Sequence, residues 1–188
     1  TAGPKGRKAG TRAPETTPLV CGDARVPAGY LLGQEGEGFK LAMSLLDGGR
    51  IGTAAQGLGI AEGAYEAARG YALQREQFGK PIADFQAIQF MLADMATEIE
   101  AARLLCFNAA TIKDRGEKVT QFSAMAKLYA SEVAVRATEK GVQIFGGYGF
   151  IKDFPAEKYY RDVKLCTIGE GTSEIQRMVI ARSLLNAD

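Results

Sequence analysis

The sequence predicts an all-α fold, and two observations support this prediction. From residue 37 nearly to the end, apolar residues recur at steps of three and four, the spacing of one face of an α-helix. The period is clearest in residues 84–114, where it resembles the seam of a helix bundle whose helices cross at about 20°. That seam consists of Phe85, Ile88, Leu92, Met95, Ile99, Ala102 and Cys106.

The composition excludes several classes of function. The chain has 188 residues, of which 46% are hydrophobic and 24% charged, with a net charge of +1. This balance gives no reason to expect a nucleic-acid or membrane partner. No histidine is present, so a Ser-His-Asp triad and a histidine-ligated metal are excluded. The three cysteines form no CxxC pair, which favours reduced thiols over a disulfide framework or a metal site.

Residues 1–35 differ from the rest of the chain. Residues 1–8 are rich in glycine and basic residues and are expected to be loose. Residues 16–21 have the composition of one short strand, and Pro18 places it at a sheet edge. A lone strand forms no sheet, so either its partner is absent from this chain or the segment is not a strand.

Five helices and one glycine-rich bend are predicted from residue 39 onward. The first helix, 39–74, is rich in small residues that admit a close neighbour, and Gly48-Gly49 is expected to bend it. The second covers 84–114. The third covers 120–145, with an inner stripe formed by Phe122, Met125, Tyr129, Val133 and Ala137. A glycine-rich bend at 146–149, a short helix at 157–162 behind Pro155, and a last helix at 173–185 follow.

The loop around Glu170 is the strongest candidate for a catalytic site. Glu170 lies between Gly169 and Gly171, whose backbones tolerate angles closed to other residues and allow a ligand to approach. Ser173 and Gln176 have the spacing of a capping box for the last helix. These features predict a carboxylate on a tight loop; the alternative is a solvated turn glutamate.

Each of three other groups of residues allows two interpretations. Gly146-Gly147-x-Gly149 is a weak dinucleotide signal, because it follows a helix rather than a strand, and a helix C-cap is the simpler interpretation. Arg75 lies in a loop that is either a plain surface turn or a site where its guanidinium group pairs with a phosphate. Asp47 and Arg50, three residues apart, form either an intrahelical ion pair or substrate contacts.

Taken together, these motifs resemble the acyl-CoA dehydrogenase family, in the family's order and from about residue 8 to 185. The matching segments are Gly10-x-Arg12, Asp23-x-Arg25-Val26-Pro27, Leu32-Gly33-x-x-Gly36-x-Gly38-Phe39, Leu46-Asp47-x-x-Arg50, Arg75-x-x-Phe78-Gly79, Phe85-Gln86-x-Ile88-Gln89, Gln143-Ile144-Phe145-Gly146-Gly147 and Gly169-Glu170-Gly171-Thr172-Ser173-Glu174-Ile175-Gln176.

The resemblance implies a fold and an activity. Residues 36–188 would form the C-terminal four-helix up-down bundle, and residues 1–35 the end of a middle β-domain whose remainder is missing. The implied reaction is the FAD-dependent oxidation of a short-chain acyl-CoA to the trans-2-enoyl-CoA, with flavin N5 accepting hydride. An electron-transferring flavoprotein partner, a homotetramer, and a location in the bacterial cytoplasm or the mitochondrial matrix are also implied.

The resemblance also assigns roles to individual residues. Glu170 would be the α-proton base, and its backbone N–H would bind the thioester oxygen. The implied substrate contacts are Asp47, Gly48, Gly49, Arg50 and Gly171. FAD contacts are implied for Arg75, Gln77, Gln86, Gln143, Ile144, Phe145, Gly146 and Gly147, chiefly towards a neighbouring subunit's FAD, and for Thr172, Ser173 and Glu174 towards the subunit's own.

Two positions bear on the branch of the family. Isovaleryl and long-chain members carry the base on the first helix, where this chain has Gly49, so Glu170 is expected to take that role. Many short- and medium-chain members have tyrosine where this chain has Gly169, which leaves acyl-length specificity open. The remaining alternatives are an acyl-CoA oxidase-like member and a non-catalytic helical assembly module.

Overall fold

The computed structural model describes residues 1–185, and within them the chain is mainly helical. The predicted helical bundle is confirmed. Within residues 1–185, no helix is long and apolar enough to cross a membrane. The helices are α1 (Gly38–Gln74), α2 (Gln86–Asp114), α3 (Thr120–Phe145), α4 (Ala156–Asp162) and α5 (Ser173–Leu185), and a small antiparallel hairpin joins β1 (Glu76–Gln77) to β2 (Lys80–Pro81).

Helix α3 is the central helix, and it packs against α1, α2, α4 and α5. Its contact with α1 is close because both helices present small residues there. A Cβ atom placed on Gly57 of α1 would lie 3.4 Å from the Ala130 carbonyl oxygen of α3. The small-residue face of α1 therefore admits a neighbouring helix, as predicted. Helix α1 also continues uninterrupted through Gly48 and Gly49.

The predicted seam of α2 is confirmed, whereas the stripe of α3 was partly wrong. Met95, Ile99, Ala102 and Cys106 of α2 are buried. On α3, Val133 and Ala137 are buried as predicted, but the side chain of Phe122 is exposed. The reason is that α3 is surrounded by helices whose close approach selects small residues, so its buried face consists mainly of alanine and serine. A pattern of large apolar residues does not detect such a face.

Residues 16–21 do not form a strand, in line with the second alternative; they make one isolated antiparallel bridge, and its partner lies within the chain. Residues 16–20 run antiparallel to residues 1–6, with a single bridge between Ala2 and Leu19. The N–H of Gly3 donates to the Pro18 carbonyl oxygen at 2.9 Å, and Val20 N–H donates to Thr1 at 2.9 Å. Residues 1–6, part of the stretch expected to be loose, are therefore paired with this segment. Pro18 contributes only its carbonyl, as an edge position requires.

The N-terminal segment is attached to α4 at one close contact. Thr11 N–H donates to Asp162 Oδ1 at 2.6 Å. A Cβ atom placed on the preceding Gly10 would lie 2.6 Å from the Cα of Asp162, so only glycine fits there without movement. Asp162 also pairs with Arg161, which is in turn bonded to Glu157.

We predict that Gly10→Ala displaces the N-terminal segment, because the added methyl group would overlap the backbone of α4. Limited proteolysis should then cleave residues 1–25 faster than in the unmodified protein. The matched control is Gly22→Ala, whose Cβ meets no atom within 4 Å and which should leave the cleavage rate unchanged. Equal cleavage of both variants would contradict this prediction.

Candidate active site

Glu170 and Gly171 form a sharp backbone corner between α4 and α5. Their φ angles are 55° and 92°, so both residues lie in the left-handed region. Such a conformation costs a non-glycine residue about 1–3 kcal/mol, and it persists only where the surroundings hold it in place. We call residues 169–172 the corner. The strain at Glu170 marks this predicted catalytic position as one that its neighbours hold in place.

The predicted capping box at the start of α5 was wrong by one residue. Thr172 takes the capping position: its hydroxyl accepts from Ile175 N–H at 3.4 Å, and its carbonyl accepts from Gln176 N–H at 3.0 Å. Ser173 is instead the first residue of the helix, and its buried hydroxyl has no partner among the described residues. Serine and threonine both cap helices, and here the turn of the corner places Thr172 at the capping position.

The side chain of Gln176 supports the corner instead of the helix end. Its Nε2 donates to the carbonyl oxygens of both Glu170 and Gly171, each at 3.0 Å. Gln176 is fully buried. One amide therefore satisfies two carbonyl groups that a left-handed turn directs inward.

Lys127 of α3 also supports the corner, and the sequence interpretation missed it. Its Nζ donates to the carbonyl oxygen of Gly171 at 2.6 Å, and the residue is fully buried. The signal for it is modest. Lys127 shares a helix face with Ala130, Ser131 and Ala134, which are buried against other helices, so a lysine there must point inward.

The carboxylate of Glu170 lies directly against helix α1 at Gly49. A Cβ atom placed on Gly49 would lie 2.7 Å from Glu170 Cδ and 3.3 Å from Oε1. The residue as a whole remains exposed. Gly49 therefore provides the space that the carboxylate occupies, and the fold brings together two positions that are 121 residues apart in the sequence.

Asp47 and Arg50, which flank Gly48 and Gly49 on α1, form the expected ion pair. Arg50 Nη1 donates to Asp47 Oδ1 at 2.9 Å, and Thr120 Oγ1 of α3 donates to Asp47 Oδ2 at 2.7 Å. Arg50 is buried, and its Nε has no partner among the described residues. The ammonium group of Lys113 lies over Gly48 on the same stretch. This stretch of α1 thus combines a buried charge with half-buried glycine backbone beside Glu170.

A cleft of about 510 Å³ lies at the C-terminus of α3, and most of the predicted FAD contacts line it. Arg75 extends over the ring of Tyr148 at 5.4 Å, which fixes the direction of its guanidinium group. Gly146 caps α3 with φ of 59°, as the simpler interpretation predicted. Gln86, at the start of α2, and Gln143, near the end of α3, are exposed but do not line this cleft. The predicted contacts in its lining are Arg75, Gln77, Ile144, Phe145, Gly146 and Gly147.

A second cleft, of about 430 Å³, lies at the start of α5 and contains Thr172, Ser173 and Glu174. Arg136 and Lys164 contribute positive charge to its walls. Hydrogen bonding by the backbone N–H at Glu174 and by the Thr172 hydroxyl holds the pKa of the Glu174 carboxyl below its usual value. The Ser173 hydroxyl, which has no hydrogen-bond partner among the described residues, is free to bond to a ligand.

A family model described as "Acyl-CoA dehydrogenase, C-terminal domain" matches residues 36–185. The chain belongs to the acyl-CoA dehydrogenase family. The resemblance noted from its motifs is thereby confirmed.

Individual acyl-CoA dehydrogenase relatives agree with this assignment. An acyl-CoA dehydrogenase of Bacillus subtilis is 53% identical over 98% of this chain and 49% of its own length. Butyryl-CoA dehydrogenase of Megasphaera elsdenii superposes with a TM-score of 0.97 at 52% identity, over 98% of this chain and 48% of that chain. A chain from a structure described as the electron transferring flavoprotein of Acidaminococcus fermentans gives a TM-score of 0.97 at 54% identity, over 98% and 49%. The chain thus spans about half the length of the relatives it matches.

We predict that Asp47→Ala strongly destabilises this acyl-CoA dehydrogenase domain. The change leaves the Arg50 guanidinium buried without its carboxylate, which costs about 3–5 kcal/mol. The free energy of unfolding in urea measures the effect. The control is Asp94→Ala, which removes the ion pair between Asp94 and Lys140. The Asp94 side chain is 64% exposed, so its loss should cost below about 1 kcal/mol. A similar loss in both variants would refute a special role for the buried pair.

Proposed function

We propose that the full-length protein oxidises a short-chain acyl-CoA to the trans-2-enoyl-CoA, with Glu170 as the base that removes the α-proton. The observation that carries this proposal is the placement of the Glu170 carboxylate against Gly49. This carboxylate lies on a left-handed corner against Gly49 of α1, and Glu170 remains exposed, so a substrate can approach it.

The geometry suits proton abstraction from a weak carbon acid. A general base must be held within hydrogen-bonding reach of its proton, and the hydrogen bonds from Gln176 and Lys127 restrain the corner that carries Glu170. As the proton leaves, negative charge develops on the thioester oxygen. We expect the backbone N–H of Glu170 to donate to that oxygen, because donors fixed before the reaction stabilise such charge most effectively. Asp47, Gly48, Arg50 and Gly171 would contact the rest of the substrate.

The residues of the two clefts fit FAD, the cofactor of this family. The Arg75 guanidinium, held over Tyr148, is suited to a bidentate phosphate contact beside Gln77 and the exposed backbone of Gly146 and Gly147. The start of α5 offers N–H groups and the unpaired Ser173 hydroxyl to a polar part of the same kind of ligand. When bound, FAD supplies the acceptor for the β-hydrogen, which leaves as hydride.

One feature supports a short-chain substrate, a second an electron-transferring flavoprotein partner, and a third a homotetramer. The Megasphaera elsdenii structure, 52% identical, is a butyryl-CoA dehydrogenase. The match to a chain in the Acidaminococcus fermentans structure supports an electron-transferring flavoprotein as the electron acceptor. Large apolar side chains on the outer face of α2 suit further subunits or domains, in keeping with a homotetramer; these are Phe90, Leu104 and Phe107.

We predict that Glu170→Gln in the full-length enzyme retains FAD but loses flavin reduction by butyryl-CoA. The amide cannot accept the proton, and a positioned general base contributes about 10²–10⁴-fold to rate. Stopped-flow bleaching of flavin absorbance measures the loss. Glu117→Gln, in the exposed turn before α3, is the control and should bleach at the unmodified rate. Unchanged bleaching in Glu170→Gln would remove Glu170 from this role.

A second prediction concerns the space that Gly49 provides. Gly49→Ala places a methyl group where the Glu170 carboxylate lies, so the base must move; a displacement of about 1 Å costs on the order of 10²-fold in rate. Gly52→Ala, one turn further along α1, meets no atom within 4 Å and should keep the full rate. The same bleaching assay compares the two variants. Equal rates would show that Glu170 does not depend on this space.

A further inference from the structure

Lys127 is an unusual residue to find in the interior of this domain. It is fully buried, and its Nζ donates to one carbonyl oxygen, that of Gly171. An ammonium group carries three donors, and burying its charge costs free energy unless a site compensates it. A neutral side chain of the same length fills such a space at lower cost. The retained charge therefore points to a role at the corner.

The charged and titratable groups around Lys127 come from several elements. Burial lowers the pKa of the Lys127 ammonium. The nearby Cys166 raises it, the positive charge of Arg50 on α1 lowers it, and Glu170 and Glu174 both raise it. The carboxylates of Glu170 in the corner and Glu174 in α5 thus stabilise the buried cation. The cation sits below the turn that carries the proposed base, among groups from α1, the corner and α5.

Two buried donors converge on the corner from different helices. Gln176 of α5 binds the carbonyl oxygens of Glu170 and Gly171, and Lys127 of α3 binds Gly171. Gln176 belongs to α5, the helix that follows the corner directly in the chain. Lys127 belongs to the central helix and fixes the corner relative to the bundle, and thereby relative to Gly49 on α1.

We infer that Lys127 is a positioning residue: its bond to Gly171 holds the left-handed corner so that the Glu170 carboxylate stays over Gly49. The inference rests on the proposed function, because it concerns the placement of the proposed base. The competing explanation is that Lys127 only joins α3 to the start of α5 and contributes to stability.

The first experiment measures flavin reduction per bound FAD in the full-length enzyme at saturating butyryl-CoA. Lys127→Met keeps the length of the side chain but removes its donor. We expect the limiting rate to fall about 10- to 100-fold while the half-saturating substrate concentration changes less than about twofold. Lys140→Met, also on α3 and paired with Asp94 at the surface, is the control and should keep the full rate. An unchanged rate in Lys127→Met overturns the inference.

The second experiment moves the base away from the corner. In a Gly49→Glu, Glu170→Gly enzyme the carboxylate projects from α1 into the space that Glu170 has left. Lys127→Met should then change the limiting rate less than about twofold, because the corner no longer carries the base. An equal loss in both backgrounds shows a general structural role and overturns the inference.

Amide hydrogen exchange gives a readout that does not depend on activity. Lys127→Met should accelerate exchange in residues 168–175 and leave the middle of α3 unchanged. Unchanged exchange in that loop, or faster exchange throughout the bundle, overturns the inference even where the relocated enzyme is too slow to assay. If the unmodified enzyme does not reduce its flavin with any acyl-CoA, the proposed function fails; if only the Lys127→Met comparisons fail, the positioning role fails alone.

Discussion

The close approach of the Glu170 carboxylate to helix α1 is the constraint on which the rest of the site depends. A side chain at position 49 and the carboxylate of Glu170 compete for the same volume. The corner can fold against α1 only because Gly49 leaves that volume free. The same exclusion would account for the two base positions that the family resemblance implies, because this volume accepts one carboxylate, either from the first helix or from the loop.

Packing by small residues makes this approach possible at the level of the whole domain. Alanine and glycine between α1 and α3 bring the two helix backbones close, as the contact of Gly57 with Ala130 illustrates. The long buried side chain of Lys127 then extends from α3 to the carbonyl oxygen of Gly171, just before the start of α5. A helix pair separated by large side chains would hold the corner and α1 too far apart for Glu170 to reach Gly49.

The errors of sequence interpretation share one cause, which is that the deciding contact lay far away in the chain. The capping-box spacing favoured Ser173, but the turn of the corner placed Thr172 at the capping position. Phe122 follows the apolar period of α3, but the neighbouring helices leave it exposed. Residues 16–20 have an edge strand's composition, yet nothing local identifies residues 1–6 as their partner.

The sequence by itself determined the helices, their order, the family and the position of the loop carboxylate, because helical period, glycine and proline act over a few neighbouring residues. Tertiary structure alone decided that Glu170 faces Gly49, that Asp47 also binds Thr120, and that Lys127 lies under the corner. These contacts join positions separated by tens of residues, and a lysine's burial depends on which helices surround it. Short-range patterns carry no information about such distances, whereas packing in three dimensions fixes them.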